Sequence, residues 1–195
     1  MRRASPVSNL PNILTVFRIV LIPVLVVILT NPGPTASLLA TLTFFLACLS
    51  DFFDGYLARR WGISTTFGKL LDPLADKLIV AAALIMLSGM DRFPTVPAWM
   101  TAVIIGREIA VTGLRAVALG QGVVIAAEEL GKYKMIFQMF AIHGLLLHYD
   151  FLGVDWYVGG MYFLWISLVI SLWSGIDYHV KVIRQLLHGT ATATS

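Results

Sequence analysis

The sequence predicts an all-α, polytopic integral membrane protein with about six transmembrane helices, on three observations. Of its 195 residues, 58% are hydrophobic and 13% charged, against about 25% charged in an ordinary soluble domain; mean hydropathy is +0.83. Six apolar runs, each close to the roughly 20 residues that cross a bilayer as a helix, follow one another with short polar breaks. Leu, Ile, Val and Ala fill these runs without the alternation of a membrane barrel, and a helix satisfies its own backbone in lipid. No internal repeat divides the chain. It reads as one membrane-embedded domain over 1–195, with a disordered Thr/Ala tail from about 189.

The first run, near 12–30, follows Arg2 and Arg3 and has the outline of a secretory signal. Arg18 interrupts it, and no Ala-x-Ala-like cleavage site follows Thr30. Asn31-Pro32-Gly33-Pro34 makes a tight turn instead, so a retained first helix is expected. The second and third runs, near 36–58 and 72–90, carry aspartates toward one end. Between them the short linker from Arg59 to Lys69 implies antiparallel neighbours. Asp72-Pro73 resembles a helix start, with Asp72 as cap and Pro73 in first position; a proline kink inside a longer helix is the competing reading. Gly68 suits a connecting loop that needs close approach or an unusual backbone angle. The remaining runs lie near 95–117, 133–149 and 160–180.

Orientation follows from the basic residues. Arg2, Arg3, Arg59, Arg60, Lys69, Arg115, Lys132, Lys134, Lys181 and Arg184 flank one side of a six-span arrangement, while the other side has Arg92 beside Asp91. The positive-inside rule then places both termini, and the aspartates between Asp51 and Asp76, at the cytoplasmic face. The net charge of +3 says less than this distribution, which suits anionic lipid head groups and not nucleic acid. The lone Cys48 can form no internal disulfide and reads as a small packing residue. Trp61, Trp99, Trp156, Trp165 and Trp173, with Tyr149 and Tyr157, read as an interfacial belt.

Chemistry concentrates between Asp51 and Asp76, where the chain reads Asp51-x-x-Asp54-Gly55-x-x-Ala58-Arg59, eight residues, then Gly68-x-x-x-Asp72-x-x-x-Asp76. One charge at the centre of a membrane helix costs about 3 kcal/mol even on a lenient scale. Four acids also repel one another unless a cation holds them. Spacings of three and four put each pair on one helix face. Hard oxygen donors without His or Cys suit Mg²⁺ or Mn²⁺ and count against zinc. Gly55 and Ala58 leave volume beside the acids, and Arg59 offers a planar fork for phosphate oxygens. Acids, open volume and arginine together favour metal-assisted phosphoryl transfer. An aspartate of pKa near ~3.9 is a weak base for an alcohol, so metal and positioning must carry most of the rate. Ion pairing, such as Asp76 with Lys77, or an ion pathway is the competing role.

This acidic constellation resembles the complete motif of the CDP-alcohol phosphatidyltransferases. The likeness extends through Leu10-Pro11-Asn12-Ile13-Leu14-Thr15 with Arg18, Leu71-Asp72-Pro73-Leu74-Ala75-Asp76-Lys77, Gly106-Arg107-Glu108-Ile109, Gly113-Leu114-Arg115 and Gly131-Lys132-Tyr133-Lys134. That fuller set is similar to the bacterial phosphatidylglycerophosphate synthases, apart from Met135, where Thr often stands. The resemblance implies a six-helix fold, a homodimer, and a cavity open to the cytoplasm. It implies one Mg²⁺ on Asp51, Asp54 and Asp72, a second on Asp51, Asp72 and Asp76, and Asp76 as proton acceptor. It also implies that Asn12, Ile13, Leu14, Thr15, Gly55, Arg59 and Thr65 contact the cytidine diphosphate part of CDP-diacylglycerol.

If the acceptor is sn-glycerol 3-phosphate, a basic pocket must hold its phosphate, and Arg107, Arg115, Lys132 and Lys134 are the candidates. Topology-setting charge is the competing role for Arg115 and the two lysines. Arg107 lies about 12 Å deeper than Arg115 on a regular helix, where its competing role is a pair with Glu108. Lys77 reads as local charge balance. The expected reaction is transfer of the phosphatidyl group to the glycerol 3-phosphate 1-hydroxyl, releasing CMP. The rivals are another acceptor (phosphatidylglycerol, serine or an inositol phosphate) or, from other classes, a cation transporter or a structural scaffold.

Overall fold

The computed structural model describes residues 10–61, 66–122, 129–150 and 153–191, with the backbone alone described at 10–12, 55–61, 66–70, 72, 129 and 186–191. Six helices occupy these segments and no strand does: α1 (Leu10–Leu29), α2 (Pro34–Trp61), α3 (Thr66–Gly89), α4 (Ala98–Gly120), α5 (Glu129–Leu147) and α6 (Trp156–Ala191). Each coincides with one of the six apolar runs. Two are long and apolar enough to cross a membrane by length and composition, over Pro34–Asp54 and Trp156–Gln185, and α1 adds a shorter apolar stretch, Ile13–Leu29.

Local chemistry explains the breaks. Thr30 folds its hydroxyl back onto the Val27 carbonyl (2.7 Å) at the end of α1. Pro34 opens α2, where its missing N–H costs nothing, and the Ser37 amide begins the helical ladder on Gly33 (2.8 Å). Gly122, at φ 75°, lies just past the end of α4 and takes the left-handed conformation that stops a helix. Asp155 caps α6 by accepting from the Val158 amide (2.9 Å). Two expectations are corrected. Pro73 lies inside α3, about two turns from its start, so the helix-start reading gives way to an internal proline. Gly68 falls in the first turn of the same helix, not in a loop. Both follow from α3 beginning at Thr66, earlier than the apolar run alone suggests.

Packing departs from the simplest expectation as well. α1 packs on both α2 and α3, which meet one another only sparingly. The first helix is therefore a wedge between the two acid-bearing helices. Leu25, Leu29, Phe44, Leu84, Met100, Ile104, Leu145 and Leu164 form a shared core. α5 and α6 approach closely at Gly144 and Gly160, where a Cβ on Gly160 would stand 2.7 Å from the Leu145 nitrogen. Large apolar side chains face outward on every helix, among them Val27, Ile85, Ile109, Phe140 and Trp173, the last 71% exposed. Polar ones, including Thr15, Arg18, Asp54, Gln138, Ser167 and Ser171, are buried. Such an inside-out distribution suits lipid as solvent.

Candidate active site

Thr15 and Arg18 are three residues apart on α1, hence on one face, and that face meets the aspartates. The Thr15 hydroxyl donates to Asp54 Oδ2 (3.2 Å). The Arg18 guanidinium lies between two helices, with Nη2 3.0 Å from Asp51 Oδ1 and Nη1 2.5 Å from Asp76 Oδ1. Pairing Thr15 with Asp54 and Arg18 with Asp51 runs the two helices in opposite senses. Arg18 is 1% exposed, whereas the Asp51 and Asp76 side chains are each 30% exposed. Asp54 is buried.

The structure thus brings Asp51, Asp54 and Asp76 to one end of the bundle chiefly through α1, since α2 and α3 meet only sparingly. Asp72 sits one turn before Asp76 on α3; its side chain lies outside the described residues. Among the described residues no three His, Cys, Asp or Glu groups close into a ligand cluster. The donor chemistry nevertheless fits a divalent cation. Two carboxylates already converge on a single cationic group, every donor is a hard oxygen, and the exposed parts of both acids remain accessible.

A second feature adjoins the first. Lys77 follows Asp76 on α3 but turns toward α4, donating to the Thr112 hydroxyl (2.5 Å). It lines a cavity of about 260 Å³ together with Arg107, Glu108, Thr112, Arg115, Lys132, Lys134, Ser174 and Tyr178. All four predicted acceptor residues therefore share one wall system. Arg107 is held from three sides: Nε donates to the Ser171 carbonyl (2.9 Å), Nη2 to Ser174 Oγ (2.7 Å) and Nη1 to Glu108 Oε1 (2.9 Å). Gly175 makes room for it, since a Cβ there would lie 3.1 Å from Arg107 Nε. Lys134 pairs with the same Glu108 oxygen, and the Arg115 guanidinium lies over the Tyr178 ring at 5.6 Å.

A family model for CDP-alcohol phosphatidyltransferase matches residues 8–173. The chain belongs to this family. Among its relatives, a protein of Bacillus subtilis named CDP-diacylglycerol–glycerol-3-phosphate 3-phosphatidyltransferase is 43% identical, covering 89% of this chain and 94% of the relative. Proteins of the same name from Rickettsia typhi and Haemophilus influenzae are each 38% identical, over 88% and 87% of this chain and 95% and 91% of the relatives.

The positions expected to contact the cytidine diphosphate part are only partly described. Thr15 faces the aspartates, Leu14 is half-buried, and Ile13 is 57% exposed. Asn12 lies in α1, and Gly55 and Arg59 in α2, with side-chain positions outside the described residues; Thr65 lies outside them altogether. Sequence reasoning undervalued two residues. Arg18 counted only as an interruption of the first apolar run and as part of the motif resemblance, although an arginine inside an apolar run is itself a functional signal. Lys77 was paired with Asp76 by adjacency, but neighbours in a helix point about 100° apart.

Proposed function

We propose that this chain is a Mg²⁺-dependent integral-membrane transferase acting on CDP-diacylglycerol and sn-glycerol 3-phosphate. It forms phosphatidylglycerol phosphate and CMP, and so serves phospholipid biosynthesis. The observation that carries the reading is the junction at Asp76-Lys77: an aspartate cluster on one side of α3 and a basic cavity on the other. At about 260 Å³, that cavity is below the roughly 300 Å³ at which pockets for drug-sized ligands begin, which suits a small polyol phosphate. The names of the relatives supply the same two substrates.

Asp51, Asp54, Asp72 and Asp76 would hold the divalent ions, Mg²⁺ or Mn²⁺ and two in number. When bound, these offset the diphosphate charge and stabilise the leaving phosphate oxygen of CMP. The chain's own residues do the rest. Arg115, Lys132 and Lys77 meet the acceptor phosphate, while Arg107 and Lys134, anchored by Glu108, give the wall its positive charge. Binding there directs the 1-hydroxyl toward Asp76. As that oxygen bonds to the phosphatidyl phosphorus, the bond to the CMP oxygen breaks and Asp76 takes the hydroxyl proton. The Asn12–Thr15 segment, Gly55, Arg59 and Thr65 hold the cytidine diphosphate part. The remaining elements of the proposal are six membrane crossings, a homodimer, and a site and termini facing the cytoplasm across the inner membrane.

The test uses purified protein with CDP-diacylglycerol, Mg²⁺ and separate acceptors: glycerol 3-phosphate, phosphatidylglycerol, serine and an inositol phosphate. CMP release and the lipid product are scored together. Turnover only with glycerol 3-phosphate is expected. A different preferred acceptor overturns the assignment of the basic cavity, and metal flux without CMP release overturns the enzyme reading.

A further inference from the structure

The arginine in the aspartate cluster has a role that the reaction scheme above does not use. Arg18 stands in the apolar α1, is 1% exposed, and touches Asp51 on α2 and Asp76 on α3 through different nitrogens. Neither Nε nor Nη2 makes a hydrogen bond among the described residues; Nη1 donates to Asp76 and Nη2 meets Asp51 as an ion pair, so the charges of the two acids hold the side chain. Both contacts use Oδ1. The carboxyl groups keep part of their surface exposed while the guanidinium has almost none, so Arg18 approaches them from the buried side. A planar, permanently charged fork can hold two carboxylates at fixed separation, which a flexible lysine ammonium does less well. It also offsets the repulsion that would splay a four-acid cluster before any divalent ion arrives.

We propose that Arg18 is a positioning residue for the metal site: from behind the cluster it braces Asp51 across to Asp76, so that both present oxygen to divalent ions on the open side. The inference rests on the reading of those aspartates as metal ligands. Groups that orient metal ligands typically contribute ten- to a hundredfold in metal affinity.

Mn²⁺ binding to the detergent-purified protein, followed by the electron paramagnetic resonance of free Mn²⁺, tests this without reference to turnover. Arg18→Gln is expected to lose ten- to a hundredfold in Mn²⁺ affinity, and Arg18→Lys less than tenfold. Leu25→Ala, a buried change on the same helix, controls for general destabilisation and is expected to bind as wild type. Metal-free Arg18→Gln is also expected to melt below wild type, by a margin that widens as Mn²⁺ is added, because the tighter-binding protein gains more stability from the same ion. Equal or tighter Mn²⁺ binding by Arg18→Gln overturns the proposal, as does an equal loss in Leu25→Ala. Should Arg18→Gln not fold, Arg18→Lys decides: a several-fold loss supports the brace, and unchanged affinity sinks it. If Asp51→Asn binds Mn²⁺ as wild type does, the metal reading itself fails, and the brace with it.

Discussion

Lys134 of α5 and Glu108 of α4 form an ion pair across the wall of the basic cavity, and Arg107 reaches the same carboxylate oxygen. One acid therefore holds two cations against their mutual repulsion, at side-chain exposures between 9% and 20%. Glu108→Ala leaves both cations uncompensated. A loss of about 2–3 kcal/mol is expected, below the ~3–5 kcal/mol of a fully buried pair because the cavity admits water. Thermal and denaturant unfolding in detergent measure it, and Glu108→Ala combined with Lys134→Met should recover part of the loss.

Asp76→Asn keeps the shape of the side chain and removes its capacity to take a proton. Turnover is expected to fall by at least about a hundredfold, the lower range of general-base contributions. Circular dichroism should show the helical fold retained. Residual turnover within threefold of wild type would remove Asp76 from the proton-accepting role.

Chelation tests the aspartates as a group. EDTA is expected to abolish CMP release, and Mg²⁺ or Mn²⁺ to restore it, because the donors are hard oxygens. Activity that persists after exhaustive chelation would contradict a metal-dependent transfer.

The cavity cations proposed to meet the acceptor should separate the two substrates kinetically. Arg115→Gln and Lys77→Met are each expected to raise the KM for glycerol 3-phosphate about tenfold, the loss of roughly 1.4 kcal/mol, with that for CDP-diacylglycerol little changed. Equal effects on both substrates would mean that these residues act on the bundle and not on the acceptor.

Glycine substitutions distinguish close helix approach from open surface. Gly160→Ala would put a Cβ 2.7 Å from the Leu145 backbone nitrogen and 3.0 Å from the Ala141 carbonyl oxygen. Forcing α5 and α6 apart is expected to cost about 1–3 kcal/mol. Gly106→Ala, with nothing within 4 Å of the added Cβ, should be neutral or stabilising by up to about 1 kcal/mol from helix propensity. Unfolding midpoints of the two variants compare them directly.

All six helices were legible in the chain because each is an apolar run of helical length bounded by polar or turn-forming residues, and those signals act locally. The pairing of the acids within each helix was legible for the same reason: Asp51 with Asp54, and Asp72 with Asp76, are set by helical geometry alone. Tertiary structure decided how the pairs meet. No local rule places α1 between α2 and α3, or brings Arg18 to both Asp51 and Asp76, since that depends on which apolar faces interlock around Leu25, Phe44 and Leu84. Likewise Arg107, Glu108 and Lys134 come from two helices whose contact with α6 is set by packing at Gly144, Gly160 and Gly175. Residue types and their period are properties of the chain; the distances between helices arise from close packing of side chains far apart along it, and those distances make the two sites adjoin.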